Sequence, residues 1–523
     1  MNDLSRDLRY GLRMLKKSPW ASGAAIVALA LGIGVGTAIF SVADALLLKP
    51  LPFPRPDRLV QLEQDTKGVY DTTFAISKYL MLREGARGFA AMTAYEALGH
   101  GYNLAGDGPP QRVAGCRATW ELFPVFGVKP LLGRTFSAEE DRPGGPPVVV
   151  LSHRLWQRRL GGDPAAVGRQ VVLDGQSYTV LGVMPEDFRY PLAAEIWTPL
   201  QLDPASQDRA RFLYVTGKLD DGGTPEAARA ALEPVNRRYL ELQGWGDSEE
   251  RMSVRPLQVF LHGDLRPALL VMLAAVGVVL LVASANVAGL QLARLASRQS
   301  EIAIRATLGA GTGRIVRQLL AESTLLALAG GGLGVLLCLA VLGSLPAFLP
   351  QELASRMPEV GVDARVLGFA LAVSLASGLL AGIAPALQAR RVDLNGTVKE
   401  GSTGSGAGGG WRGQRMRYGL VVVEIALALV LLTGAGLLLR SFADLAGADP
   451  GFRPEGALTL KIPVPPARYA PPAAFERVQQ VLLPAIETLP GVRAAGASTN
   501  LPFEPGAEMT FIVEGRYQGG DAG

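Results

Sequence analysis

LASRQSEIAIRATLGAGTGRIVRQLLAESTLLALAGGGLG, residues 295–334, passes from a polar, basic half to a predominantly apolar one. The first half predicts a short helix over 297–308. Glu301 precedes Arg305 by one helical turn, the favourable order for an ion pair on a helix face. Gly309, Gly311 and Gly313 then interrupt it. A second helix starts near Thr312, carries Arg314 and Arg317, and becomes a long apolar run from Leu319. A basic, structured connector between two apolar runs is more than a passive loop needs. It has the character of a surface offered to a partner.

Working outward, the rest of the chain repeats that contrast. Of 523 residues, 49% are hydrophobic and only 19% charged, and the mean hydropathy is +0.23. Apolar runs of about 20 residues or more, each with at most one charged residue, account for this and predict a multi-pass α-helical membrane protein. The runs lie at 21–48, 267–292, 319–342, 365–387 and 418–439. The first is too long for a cleaved signal peptide and shows no cleavage pattern, so it is expected to stay as a span. Before it, Leu4, Leu8, Leu12 and Leu15 recur at helical spacing among Arg6, Arg9, Arg13, Lys16 and Lys17. Residues 1–19 therefore predict an amphipathic helix on the cytoplasmic membrane face.

Residues 50–262 are of soluble character and predict an α+β domain large enough for its own core. Pro50, Pro52, Pro54 and Pro56 make a stiff exit from the first span. RLVQLEQ (58–64), VVVL (148–151) and MSVRPLQVF (252–260) are expected strands. HRLWQRRLG (153–161) and PEAARAALEPVNRRYLEL (225–242) are expected helices. Asp174-Gly175 is the turn of a hairpin over 169–185. The acidic residues are scattered and are expected on the solvated surface. The second soluble segment, 441–523, has a helix near 473–489.

Charge sets the expected orientation. The N-terminus, the 293–318 connector and the 388–417 linker are rich in Lys and Arg, and the 343–364 loop carries only Arg356. The positive-inside rule places the first three in the cytoplasm. The 50–262 domain, the short loop and the 441–523 tail then face outward.

Several chemistries find no support. The chain has no P-loop, nucleophile elbow or zincin motif. Gly32, Gly34 and Gly36 lie inside a bilayer-length run with no preceding strand, so they are no nucleotide loop. Gly32 and Gly36 instead have the spacing that lets membrane helices pack closely. Ser284, Asn286 and Gln291 are expected to hydrogen-bond between helices. Glu322, near the basic end of its span, is expected to snorkel or pair with Arg314 or Arg317. His100, His153 and His262 show no ligand spacing, and Cys116 and Cys338 are not expected to pair. No catalytic residue, resident cofactor or nucleic-acid partner is expected.

Longer words carry a family likeness: SVADALLLKPLPFPRPDRLV, LFPVFGVKPLLGRTF, VVVLSHRLWQRRLGGDPAAVGRQVVLDGQSYTVLGVMP, SRQSEIAIRATLGA and PALQARRVDLNGTVKEG. With the order span, large domain, three spans, they resemble MacB-like, FtsX-type ABC transporter permeases. Residues 50–262 match the periplasmic core domain of that family and 267–390 its permease domain. Arg9-Tyr10-Gly11-Leu12 recurs as Arg417-Tyr418-Gly419-Leu420, which resembles the duplicated "orphan" permease branch of acidobacterial type. The resemblance implies a second half that this sequence does not complete. It further implies a bacterial inner-membrane protein that passes motion from a cytoplasmic ABC ATPase, which binds the ATP, to the outer domain. An envelope partner and a dimer are part of that expectation. The coupling element would be the connector, with Arg298, Glu301, Ile302, Arg305, Leu308 and Gly309. The alternatives are a helix that only lies on lipid and, for the whole chain, an FtsX-like scaffold whose outer domain regulates a cell-wall hydrolase.

Overall fold

The computed structural model describes residues 19–97, 100–106, 110–191, 193–206, 208–296, 312–348, 360–389, 411–449, 451, 456–460 and 475–498. The N-terminal amphipathic segment, the helix expected over 297–308 and the connector residues Arg298, Glu301, Ile302, Arg305, Leu308 and Gly309, the Arg9–Leu12 copy of the repeat and linker residues 390–410 lie outside them. The chain divides into two units, Met1–Lys49 with His262–Ala457, and Pro50–Leu261 with Leu458–Gly523.

Helix α1 (Pro19–Ala43) fills the first apolar run and ends in a π turn, Asp44–Leu48. The α+β unit follows. Its elements are β1 (Leu59–Thr66), β2 (Val69–Asp71), β3 (Thr73–Phe74), α2 (Ile76–Gly85), β4 (Phe89–Glu96), β5 (His100–Ala105) and β6 (Gln111–Ala118). Next come α3 (Leu122–Phe126), β7 (Leu132–Gly133), β8 (Val148–Leu151), α4 (His153–Leu160), β9 (Gln170–Leu173), β10 (Gln176–Val183) and β11 (Ile196–Pro199). It closes with β12 (Leu213–Leu219), α5 (Pro225–Leu242), β13 (Arg251–Pro256) and α6 (Leu257–His262).

Local chemistry sets these boundaries. Ser152 caps α4 by accepting from the Leu155 amide, and Gly161 ends it in the left-handed region. Thr224 caps α5 in the same way, with Pro225 at the first helical position. Asp174 and Gly175 both have positive φ, 51° and 84°, which the two-residue turn between β9 and β10 requires.

The strands build two lobes. In one, β4-β12-β1-β13 pair antiparallel in that order. With α2 after β1 and α5 after β12, this is a split β-α-β topology. The second lobe is inserted between β4 and β12. Its strands run β11-β8-β10-β9-β5-β6, and β11 pairs back onto β6, so the six close into a ring. Tyr102, Leu104, Val113, Val149, Leu151, Leu173, Val180 and Ile196 form the core of this lobe. Between the lobes lies an aromatic core around fully buried Trp197, whose ring is 6.0 Å from Phe123 and 5.3 Å from Phe188.

Two expectations need correction. The strand at 252–260 stops at Pro256, which has no amide hydrogen for a ladder. Leu257, Phe260 and Leu261 then have helical spacing and pack into the aromatic core. The acidic residues are also not all solvated. Glu63, Glu121, Glu140 and Glu250 are buried. They pair with Arg255 at 3.2 Å, Arg83 at 2.8 Å, Arg134 at 2.7 Å and Arg211 at 3.2 Å. Glu250 also takes a hydrogen bond from buried Lys78, which donates to Gln64 and lies 5.3 Å from the Tyr239 ring. Burial lowers the Lys78 pKa against the pull of Glu250. Such partners are distant in sequence, so composition alone does not reveal them.

The other unit continues with α7 (Arg266–Ala296), α8 (Thr312–Phe348), α9 (Ala364–Ala389) and α10 (Trp411–Ala446). Among the described residues, five stretches are long and apolar enough to cross a membrane: Pro19–Leu48, Leu257–Arg294, Val316–Ser344, Ala364–Leu387 and Tyr418–Ala446. Helix α1 packs against α7, α8 and α9. Ala25, Leu29, Ile33, Ala283, Val287, Leu326, Ala327 and Ala381 make their shared core. Helix α10 touches α7, with Leu420 against Ala288, Leu292 and Ala384. In the tail, residues 475–487 are helical and end in α11 (Leu483–Glu487).

Candidate functional site: glycine crossings in the helix bundle

The contacts of α1 are set by what its glycines leave out. Gly34 meets α8 backbone to backbone. A β-carbon there would lie 2.8 Å from the Gly334 carbonyl oxygen and 3.2 Å from its Cα. Reciprocally, one on Gly334 would lie 3.0 Å from the Ala30 carbonyl oxygen and the Gly34 nitrogen. One turn earlier, a β-carbon on Gly330 would come within 2.8 Å of the Leu29 β-carbon and 3.2 Å of the Ile26 carbonyl oxygen. Gly330 and Gly334 thus form a small-x3-small seam along which the two backbones touch.

The opposite edge of α1 carries Gly32 and Gly36. Their β-carbons would collide with Leu280 and Val276 of α7, each at 2.8 Å. These two predicted packing residues therefore receive side chains rather than a second backbone. A third crossing joins α9 to α8. A β-carbon on Gly378 would sit 2.8 Å from the Thr324 Cα, and one on Gly382 would sit 2.8 Å from a Leu320 methyl. Gly34, Gly330, Gly334, Gly378 and Gly382 were not singled out from sequence. The signal was present, since both pairs on α8 and α9 have the same four-residue spacing as Gly32 and Gly36.

The polar groups along the bundle mostly bond within their own helices. Thr37 donates to the Ile33 carbonyl at 2.6 Å and Ser374 to the Ala370 carbonyl at 2.7 Å. Ser323 does the same to Leu319 and Leu320. Arg294 donates to Ser22 at 3.1 Å, tying α7 to the start of α1. Glu322 accepts from Gln318 at 3.3 Å. The interhelical bonds expected of Ser284 and Gln291 do not form. The Ser284 hydroxyl and both ends of the Gln291 amide are buried without a hydrogen-bond partner among the described residues, and Asn286 is exposed. Their helices are held by shape, so the polar groups have not dictated the spacing. Cys116 and Cys338 are free and buried.

Such a bundle suits rigid helices that shift against one another. Where backbones touch, no long side chains interlock, and rotation or sliding breaks few bonds. Among the described residues no three His, Cys, Asp or Glu side chains gather as a metal site.

Residues 22–235 match the family described as the MacB-like periplasmic core domain, and residues 273–394 match the FtsX-like permease C-terminal family. The pyoverdine export ATP-binding/permease protein PvdT of Pseudomonas syringae pv. tomato is 25% identical over 279 residues, 52% of this chain and 40% of that protein. The macrolide export ATP-binding/permease protein MacB of Shigella flexneri is 27% identical over 285 residues, 52% of this chain and 41% of that one. The chain therefore spans about two-fifths of the length of these relatives. Among solved structures, the periplasmic region of MacB from Actinobacillus actinomycetemcomitans is 14% identical with a TM-score of 0.30, covering 39% of this chain and 91% of that one.

Proposed function

The chain carries a MacB-like periplasmic core domain followed by an FtsX-like permease domain, and we propose that it is the membrane-spanning permease subunit of an ABC-type exporter or mechanotransmission system. In this proposal the ATPase is a cytoplasmic partner, since residues 1–523 hold no Walker A motif to bind the ATP themselves. The observation that carries the mechanical part is the backbone contact of α1 with α8 at Gly34 and Gly334. Helix α1 continues through Lys49 into Pro50, the first residue of the α+β unit. Movement of α8 against α1 would thereby reach the α+β unit through one covalent connection.

In this proposal the N-terminus, the 293–318 connector and the 388–417 linker are cytoplasmic, and the α+β unit faces the periplasm. The basic segments support that orientation. Cysteines placed at Ser300 and Ser405 should be shielded from a membrane-impermeant thiol reagent in intact cells. One at Ser177, on β10, should label once the reagent passes the outer membrane. Labelling at Ser300 overturns the orientation.

The connector is the proposed docking point for the ATPase. Ile302, Ile304 and Leu308 supply apolar groups for a partner's groove. The test is affinity purification of the full chain from its own membranes, with detection of any co-purified Walker-A protein. The parent should bring one down with ATPase activity. The Ile302→Asp, Leu308→Asp double variant should insert normally and lose it. Unchanged association and turnover in the inserted variant remove the connector from this role. An envelope hydrolase recovered with the parent, without an ATPase, would favour the scaffold instead.

A further inference from the structure

Asp44 was not singled out in the sequence, yet among the described residues it is the most deeply buried charge of the helix bundle unit. It opens the π turn that ends α1, and only 1% of it is exposed. Neither carboxylate oxygen has a hydrogen-bond partner among the described residues. Two cations flank it instead. Lys49 lies 3.9 Å from one oxygen and Arg365 3.8 Å from the other. These are ion pairs too long to be hydrogen bonds. Lys49 makes its close contact elsewhere, at 2.9 Å from Asp363. Asp363 in turn accepts from the Arg365 and Val366 amides, both at 3.0 Å, and so caps the start of α9. Beside the cluster, Ser41 donates to the Gly361 carbonyl at 2.7 Å.

The four charges come from two places in the chain. Asp44 and Lys49 belong to the end of the first span, and Asp363 and Arg365 to the start of the fourth. Two positive and two negative groups balance. The pairing is uneven: Asp363 is well satisfied, and Lys49 with its capping bonds holds its carboxyl down to about 2. Asp44 is buried and under-satisfied, a state that is costly unless its cations stay close. A π turn is a common feature of functional helix segments. Rewinding it would swing the Asp44 carboxylate relative to both cations.

We propose that Asp44, Lys49, Asp363 and Arg365 form a charge clasp that fastens the end of α1 to the start of α9. Its opening frees the π turn and the segment from Lys49 to Pro50. The clasp rests on the transmission reading above, because it regulates the joint through which α1 would drive the α+β unit.

The test needs neither the ATPase nor a transported substrate. Cysteines replace Ser41 and Gly361 in the full chain in native membranes, and the rate of joining by a short-span thiol cross-linker is measured. A side chain at Gly361 meets nothing within 4 Å. The parent pair should cross-link readily. Asp44→Asn should slow the reaction roughly tenfold or more, as expected when a buried ion pair loses one member. Arg365→Gln and Lys49→Gln should each slow it less, and neither should add its full effect to Asp44→Asn. If Asp44→Asn fails to insert, the two exposed cation variants carry the test. Rates within twofold of the parent in the inserted variants overturn the clasp. That result leaves the proposed ATPase association to stand or fall on its own assay.

Discussion

The helix bundle and the α+β unit of this chain are stabilised by opposite means. The α+β unit is filled: Trp197, Phe123, Phe126 and Phe188 are large, buried and packed ring against ring. Its buried charges are paired: Lys78 with Glu250, and Glu250 in turn with the more exposed Arg211. The bundle is emptied: its helices come close at glycines, among them Gly34, Gly330, Gly334, Gly378 and Gly382. The difference follows from the solvent. In water, burial of apolar area drives collapse, and the largest side chains contribute most. Between helices in lipid that driving force is absent, and close backbone approach takes its place. A large-to-small change should therefore damage the α+β unit, and a small-to-large change should damage the bundle.

The strongest expected effect tests the bundle half. Gly34→Leu drives a side chain into the Gly334 backbone, which has no rotamer with which to yield. The full chain should still insert, but α1 should separate from α8, and the detergent-purified protein should lose its single sharp size-exclusion peak. A monodisperse variant as heat-stable as the parent would break the comparison at its main point.

Next come losses in the α+β unit. Trp197→Ala should cost about 3–5 kcal/mol. Glu250→Gln should cost a similar ~3–5 kcal/mol, because it leaves Lys78 buried without its carboxylate. Hydrogen exchange on the full chain reads both, as faster exchange of β1, β12 and β13 with the helices of the bundle unchanged. Equal loss of protection in both units would mean that they do not unfold separately.

A smaller effect comes from Glu121. Burial pushes its pKa up, more than Arg83 at 2.8 Å draws it down. The folded chain thus holds this proton more tightly than the unfolded chain does. Its contribution is full below the unfolded value near 4.5 and is lost as pH rises through the higher folded value. Glu121→Gln should flatten that part of the stability–pH curve of the α+β unit. An unchanged slope would show that the Glu121 proton is not responsible.

These contrasts also explain what was legible in the sequence. Local rules placed β8, α4, α5 and the Asp174-Gly175 turn, since caps, turns and periodicity are written within a few residues. The five apolar runs were equally plain. The two-lobed sheet was not, because the ring closes by pairing β11 with β6, some eighty residues away. Buried acids escaped notice for the same reason: Lys78 and Glu250 are 172 residues apart. Asp44 sits in an unremarkable run, SVADALLLKP, and only its neighbours from 363–365 make it a junction. Of the glycines, Gly32 and Gly36 were visible by spacing. Which helix each faces was not, because an α-helix with apolar residues on every side gives no stripe to orient it.

The smallest expected effect distinguishes two reasons for glycine in a membrane helix. Gly330, Gly331 and Gly332 are consecutive in α8 and differ in what they face. A β-carbon on Gly330 meets Leu29, and one on Gly331 meets Ser374, but one on Gly332 meets nothing within 4 Å. If these glycines serve close approach, Gly332→Ala is harmless. It should even gain up to ~1 kcal/mol of helix propensity. Gly334→Ala, one turn along the seam from Gly330, should lower the melting temperature of the purified chain instead. If the glycines serve to soften α8, both substitutions stiffen the same turn and should act alike. Equal melting shifts for Gly332→Ala and Gly334→Ala would assign the run to flexibility. A shift confined to Gly334→Ala assigns it to the crossing with α1, where the Gly34 and Gly334 backbones already leave no room for a methyl group.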